Sequence, residues 1–209
     1  MELKIEEEFI NRGFKYVCGI DEVGRGPLAG PIVICCYILD VEKLKKFKDD
    51  NIKLFEIIND SKKLSDKKRR ELVDFIKLIA VDFSFGESSN MEIDKYGIIE
   101  ANRLAIERGV NNLKIKPDYY LFDYNTCLVD FLNTPYDKII KGDSKVFSIA
   151  CSSILAKVYR DNIMNDFSKI YNKYGFENHA GYGTKKHIDA IKEFGLSDLH
   201  RKSFCKNFI

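Results

Sequence analysis

The chain has no apolar run long enough to span a bilayer. Its first residues, Met1 to Glu8, are acidic and hold no apolar signal core, so a cytoplasmic protein is expected and a membrane-bound one is not. Paired metal-binding cysteines are missing as well. Cys18, Cys35, Cys36, Cys127, Cys151 and Cys205 show no C-x-x-C spacing and mostly sit in apolar strings. They read as reduced, buried, small hydrophobes rather than as disulfides or zinc ligands. No Gly-Lys-Ser or Gly-Lys-Thr follows the glycine-rich segment, which excludes a P-loop nucleotidase. Internal repeats and low-complexity linkers are absent. Histidine is scarce: His179, His187 and His200 all come late, and each reads as structural or phosphate-facing rather than catalytic.

What is present is an ordinary globular profile, with 45% apolar and 32% charged residues over 209 positions. That length suits one domain with a sizeable core and a small appendage. The net charge of +2 hides an asymmetry. Residues 141–209 carry 12 Lys/Arg against 7 Asp/Glu, whereas residues 1–140 carry 22 against 25. A basic C-terminal third suits a polyanionic ligand, although an unevenly charged solvated surface would look the same. Apolar periodicity predicts a short helix over 5–13, strands over 16–20 and 32–39, and a helix begun by Ser65 with Leu72, Phe75, Ile76 and Ile79 as its buried stripe. A strand over 81–87, a helix within 89–109, strands over 119–123 and 139–140, and a long helix over 147–171 follow. Helical stretches around 187–194 and in the tail close the chain. The charged stretch 43–59 reads as a surface loop. Strands and helices alternate after an early run of strands, so the fold class is α/β with a mixed sheet.

The densest chemistry lies in Gly19-Ile20-Asp21-Glu22-Val23-Gly24-Arg25-Gly26-Pro27-Leu28-Ala29-Gly30-Pro31. Two adjacent carboxylates are expected at a strand's exit, where they could hold a hard cation such as Mg²⁺. Glycines beside them would let backbone N–H groups approach a ligand closely, and Arg25 suits phosphate. An Asp-Glu pair before glycine is also an ordinary solvated turn. Asp123 and Asp143, each at the edge of a sheet element, are the best further acids for such a site. Each is equally readable as a turn or cap aspartate.

The thirteen-residue string resembles the N-terminal signature of ribonuclease HII. Further blocks follow in order: Asn59-Asp60-Ser61-Lys62-Lys63-Leu64-Ser65; Lys116-Pro117-Asp118 before Asp123; Lys141-Gly142-Asp143-Ser144 with Ser148-Ile149-Ala150 and the run from Ser153 to Asp161; the block from Gly181 to His187; and the stretch from His200 to Phe204. Two departures from the family pattern are Tyr124, where the family usually has glycine, and Cys151-Ser152 in place of an alanine-rich pair. Gly24-Arg25-Gly26 and the short N-terminus separate the chain from the sister ribonuclease HIII pattern.

The resemblance implies a ribonuclease H-like mixed sheet flanked by helices. It implies a catalytic core over 1–165, with a helix over 1–14, and a small C-terminal helical region over 166–209 that completes a substrate cleft. Asp21, Glu22, Asp123 and Asp143 become the metal-binding and catalytic carboxylates, holding two divalent cations, Mg²⁺ or Mn²⁺. Gly24, Arg25 and Gly26 become the loop that reads a ribose, Tyr182 the reader of the RNA-to-DNA junction, and Lys62 a phosphate contact. The implied activity is metal-dependent endonucleolytic cleavage of the RNA strand of RNA–DNA hybrids, with nicking 5′ to ribonucleotides embedded in duplex DNA. The products would be 5′-phosphate and 3′-hydroxyl ends, and the enzyme a monomer acting on these duplexes without a membrane. A catalytically silent hybrid-binding module and a recombinase- or resolvase-type nuclease are the competing readings. The full set of acids argues against the first. The Gly24-Arg25-Gly26 loop with Tyr182 argues against the second.

Overall fold

The computed structural model describes residues 4–39, 57–58, 64–123 and 129–208. The five strands are β1 (Val17–Val23), β2 (Ile32–Leu39), β3 (Ala80–Ser88), β4 (Tyr119–Asp123) and β5 (Tyr136–Ile139). They form one sheet in the order β3-β2-β1-β4-β5. β2 runs antiparallel to both β1 and β3, while β4 runs parallel to β1 and β5. The helices are α1 (Lys4–Asn11), α2 (Asp66–Ile79), α3 (Asn90–Asn112), α4 (Phe147–Ile170), α5 (Phe176–His179) and α6 (Lys185–Phe194). The mixed sheet expected from the sequence is the one found.

β2 explains how the layers hold together. All eight of its residues are buried. Val33, Cys35, Tyr37 and Leu39 enter a core with α2 and α4, and the alternate residues Ile32, Ile34, Cys36 and Ile38 enter a second core with α3. A strand covered on both faces needs apolar side chains at every position. Cys18, Cys35, Cys36, Cys151 and Cys205 are buried free thiols, as the apolar contexts suggested.

Local side-chain caps set several helix starts. Ser65 Oγ accepts the Lys68 N–H at 3.4 Å, and Ser89 forms a reciprocal capping box with Glu92. α4 has no such cap of its own, because Val146 precedes it. Glu6 of α1 supplies one from far away in sequence, accepting the Ser148 N–H at 2.8 Å. Burial holds the Glu6 carboxyl above the usual carboxylate range. Gly19 lets β1 lie against this helix start, since a Cβ there would come within 2.5 Å of the Ser148 carbonyl carbon.

Several boundaries differ from the periodicity. β1 does not end before the acids. It continues through Asp21 and Glu22 because the β2 partner keeps the backbone extended, pairing Asp21 with Cys35 and Glu22 with Ile34. β5 lies earlier than the Ile139-Ile140 pair suggested, and its side chains are largely exposed, so no apolar run marked it. α3 reaches Asn112 but breaks at Gly97, whose φ is 81°. The tail after Leu199 is a series of turns rather than a helix, and the four-residue α5 had no periodic signal to announce it. The stretch 43–59 lies almost entirely outside the described residues, as do Tyr124 and Cys127.

Candidate active site

The parallel pairing of β1 with β4 brings the first acids together. Ile20 pairs with Phe122, so Asp21 and Asp123 are the next residues along neighbouring strands. Asp123 pairs in turn with Ile139 of β5, and the chain then turns through Gly142–Ser144. The Gly142 N–H donates to Asp123 Oδ1 at 3.1 Å, which ties the turn carrying Asp143 to the end of β4. Lys141 enters that turn in a left-handed conformation, with φ 56°.

Asp21, Glu22, Asp123 and Asp143 thereby line one cleft of about 430 Å³, together with Val23, Gly24, Arg25, Gly26, Arg69, Ser153, Ile154, Lys157 and Tyr182. Asp21, Asp123 and Asp143 are each less than one-tenth exposed. Burial and the neighbouring Glu22 charge push the Asp21 carboxyl up to about 8, against the opposing pull of hydrogen bonds from Ser153 and from the Glu22 N–H. Glu22 Oε1 is 3.3 Å from Arg25 Nη1, so Arg25 here neutralises an acid of the site. The Tyr182 side chain remains 41% exposed at the cleft's edge.

Eight of the nine residues singled out in the sequence meet in this cleft, and Lys62 lies outside the described residues. Sequence reasoning missed Arg69, Ser153 and Lys157. Ser153 and Lys157 stand one helical turn apart on α4, a spacing that shares one face and could have flagged them once the helix was placed against the acids. Lys157 is held by Asp161 at 2.7 Å, one turn further on.

Two of the histidines form a buried train outside the acids. His187 Nε2 and His200 Nε2 lie 3.1 Å apart. The Ser197 N–H donates to His200 Nδ1, so the His200 proton is on Nε2 and is donated to His187. His187 then carries its own proton on Nδ1, which it donates to the Tyr182 carbonyl at 2.9 Å. Burial lowers both rings to about 4, so the train is neutral near pH 7. These rings hold protein groups together, one of the two roles, structural or phosphate-facing, that the sequence suggested, and their last link fixes the backbone of Tyr182.

The donor chemistry of the cleft fits hard divalent cations. Oxygen ligands dominate it, and a carboxyl such as Asp21, pushed up by burial and the neighbouring Glu22 charge, is the kind of group a cation recruits. Among the described residues no three acidic, imidazole or thiol groups converge on one point as a ready-made cage. Mg²⁺-type binding takes one or two carboxylates per ion and leaves positions for water and substrate phosphate.

Comparison with known proteins now decides the family. The model of the family "Ribonuclease HII" matches residues 18–207. The chain belongs to the ribonuclease HII family. It is 46% identical over 204 residues to ribonuclease HII of Clostridioides difficile strain 630, covering 98% of this chain and 75% of that protein. It is 43% identical to ribonuclease HII of Acholeplasma laidlawii, covering 97% of this chain and 94% of that one. The fold is shared with ribonuclease H2 of Pyrococcus horikoshii OT3, with a TM-score of 0.73 at 23% identity over 93% of this chain and 97% of the other. It is also shared with RNase HII in its solved complex with PCNA from Archaeoglobus fulgidus, with a TM-score of 0.72, covering 92% of this chain and 96% of that one. As a ribonuclease HII, the chain is an endoribonuclease acting on the RNA strand of RNA–DNA hybrids. No helix among the described residues is long and apolar enough to cross a membrane.

Proposed function

We propose that this enzyme depends on two divalent cations, Mg²⁺ or Mn²⁺, held by Asp21, Glu22, Asp123 and Asp143. We propose further that it nicks duplex DNA 5′ to an embedded ribonucleotide as well as cleaving longer hybrids, leaving 5′-phosphate and 3′-hydroxyl ends. The observation that carries this reading is the single cleft lined by all four acids together with the Gly24-Arg25-Gly26 loop and Tyr182. One of these cations is named in a structural neighbour, since Bst-RNase HIII was solved in complex with Mn²⁺. When bound, the ions supply an activated water and relief of charge on the leaving oxygen.

The chain's own residues supply the rest. Asp21 is fixed within β1, Asp123 at the end of β4 and Asp143 on a pinned turn, so their oxygens are positioned before the ligand arrives. Gly26 supports reading the loop as shaped for a ligand rather than for packing. Its φ is not positive, and a Cβ there would meet nothing within 4 Å, so no protein neighbour requires glycine at that position. A ribose approaching the backbone would require it. The 2′-hydroxyl is the group that tells RNA from DNA, and bare backbone N–H groups can bind it. Tyr182 stacks on the sugar that follows. Lys62 contacts a phosphate of the scissile strand. The region 166–209 completes the cleft through Tyr182, and one chain supplies the whole site, consistent with action as a monomer.

The test is cleavage of a DNA duplex carrying one ribonucleotide, in Mg²⁺, in Mn²⁺ and in chelator. Cleavage is expected with either metal and not in chelator. Asp21→Asn and Asp143→Asn should each lower the rate at least about 100-fold while leaving folding and hybrid binding largely intact. Full activity in chelator removes the metal from the reaction, and wild-type rates from a folded variant remove that acid from the site.

A further inference from the structure

Two arginines lie behind the cleft, Arg160 on α4 and Arg201 in the tail, and both are fully buried. Neither forms an ion pair among the described residues, and both guanidiniums donate only to backbone carbonyls. Arg201 reaches Gly24 O at 2.6 Å, Arg25 O at 2.9 Å and Gly30 O at 2.8 Å. Arg160 reaches Pro31 O and Ala180 O at 2.9 Å and Ala29 O at 3.1 Å. Burying a charge without a counter-charge is costly, and apolar side chains of similar volume serve stability better. Their value to the protein therefore lies in the geometry of the carbonyls they collect.

In a trans peptide the C=O and the N–H point in opposite directions. Arg201 draws the carbonyls of Gly24 and Arg25 inward. The N–H groups of the same two peptide units, those of Arg25 and Gly26, must face the other way. The other way is the cleft, which Gly24, Arg25 and Gly26 line and Arg201 does not. Successive backbone N–H groups aimed at one point bind an electron-rich oxygen. Arg160 does a second job. It joins the 29–31 segment to Ala180, a residue held at φ 47°, two positions before Tyr182. The Leu28 N–H to Gly181 O bond, at 2.8 Å, closes the same link. Gly24 is glycine for this reason too. Its φ is 99°, and a Cβ would come within 2.3 Å of Arg160 Nε.

We propose that Arg201 and Arg160 are positioning residues for ribose recognition. Arg201 aims the Arg25 and Gly26 amides at the 2′-hydroxyl, and Arg160 sets Tyr182 at a fixed place relative to that loop. The inference rests on the reading of Gly24-Arg25-Gly26 and Tyr182 as the ribose-sensing surface.

The experiment compares binding of two duplexes by the full chain, in Ca²⁺ so that both stay intact. One duplex carries a single ribonucleotide and the other a deoxynucleotide at the same place. The wild type should prefer the ribonucleotide duplex by about tenfold or more, the worth of one or two well-made hydrogen bonds. Arg201→Lys and Arg160→Lys keep the charge and lose the fork. Each should bring that ratio down at least about fivefold while affinity for the all-DNA duplex changes less than about twofold. A variant that melts cooperatively and keeps the full ratio overturns the role of its arginine. No preference in the wild type overturns the ribose-sensing reading itself, which separates the two failures. Should both variants fail to fold, amide resonances of the wild type decide. Those of Arg25 and Gly26 should move with the ribonucleotide duplex and not with the all-DNA duplex. Unmoved amides in a protein that still discriminates overturn the aiming.

Discussion

Tyr182 is the residue on which substrate preference is proposed to turn. Its ring is exposed while its backbone is held from two sides, by the His187 ring and by the Ala180–Gly181 contacts. A lone ribonucleotide offers one 2′-hydroxyl and one following deoxyribose, so losing this contact leaves no alternative register. A long hybrid offers many. Tyr182→Ala should therefore damage cleavage at a single embedded ribonucleotide about tenfold more than cleavage of a long hybrid, in line with a lost stack worth about 1–3 kcal/mol. Side-by-side rates on both substrates check this, and equal losses would assign Tyr182 to general binding. At this scale much was legible from the sequence. Acids beside apolar strands and glycines around a tyrosine announce themselves through residue type and neighbours. The buried guanidiniums did not, because an arginine in a polar helix half or a basic tail reads as solvated surface. Only the carbonyls around Arg160 and Arg201 point to the task proposed for them.

Among the elements, those with an apolar signature were readable, and those held by partners were not. β2, α2 and α4 follow from their side chains. β5 owes its place to hydrogen bonding beside β4, and α5 to the aromatic and imidazole packing of Tyr174, Phe176 and the histidines. The histidine train joins α6 to the tail through rings that must stay neutral. Their pKa values are lowered from 6.5 to about 4, so the unfolded chain binds protons more readily between those values. Stability from this source is complete above about pH 6.5 and is lost as the pH falls through about 4. Melting temperature should decline over that window in the wild type. In His187→Asn the decline should be shallower by roughly one proton's worth, whatever its absolute stability. Parallel pH profiles for the two proteins would show that the train does not titrate as a unit with folding.

For the molecule as a whole, charge is divided between an acidic cleft and a basic C-terminal third. Lys185 and Lys186 are exposed at the start of α6, a few residues from Tyr182. Phosphate contacts release counterions, so binding of hybrid and of DNA duplex should weaken steeply between about 50 and 200 mM salt. Charge reversal at both lysines should lower affinity for the two duplexes alike and flatten the salt slope. Binding indifferent to salt would misplace the electrostatic footprint. The order of synthesis bears on a different contact. Glu6 leaves the ribosome 142 residues ahead of the Ser148 amide it caps. At roughly 5–20 residues per second, that is a wait of about 7–28 s. α1 is too short to persist alone over that time. α1 is made well before its partner and is thus among the last elements to lock. Any extension fused ahead of Glu6 is carried through the closing step that seats α4, whose first turn begins four residues after Asp143.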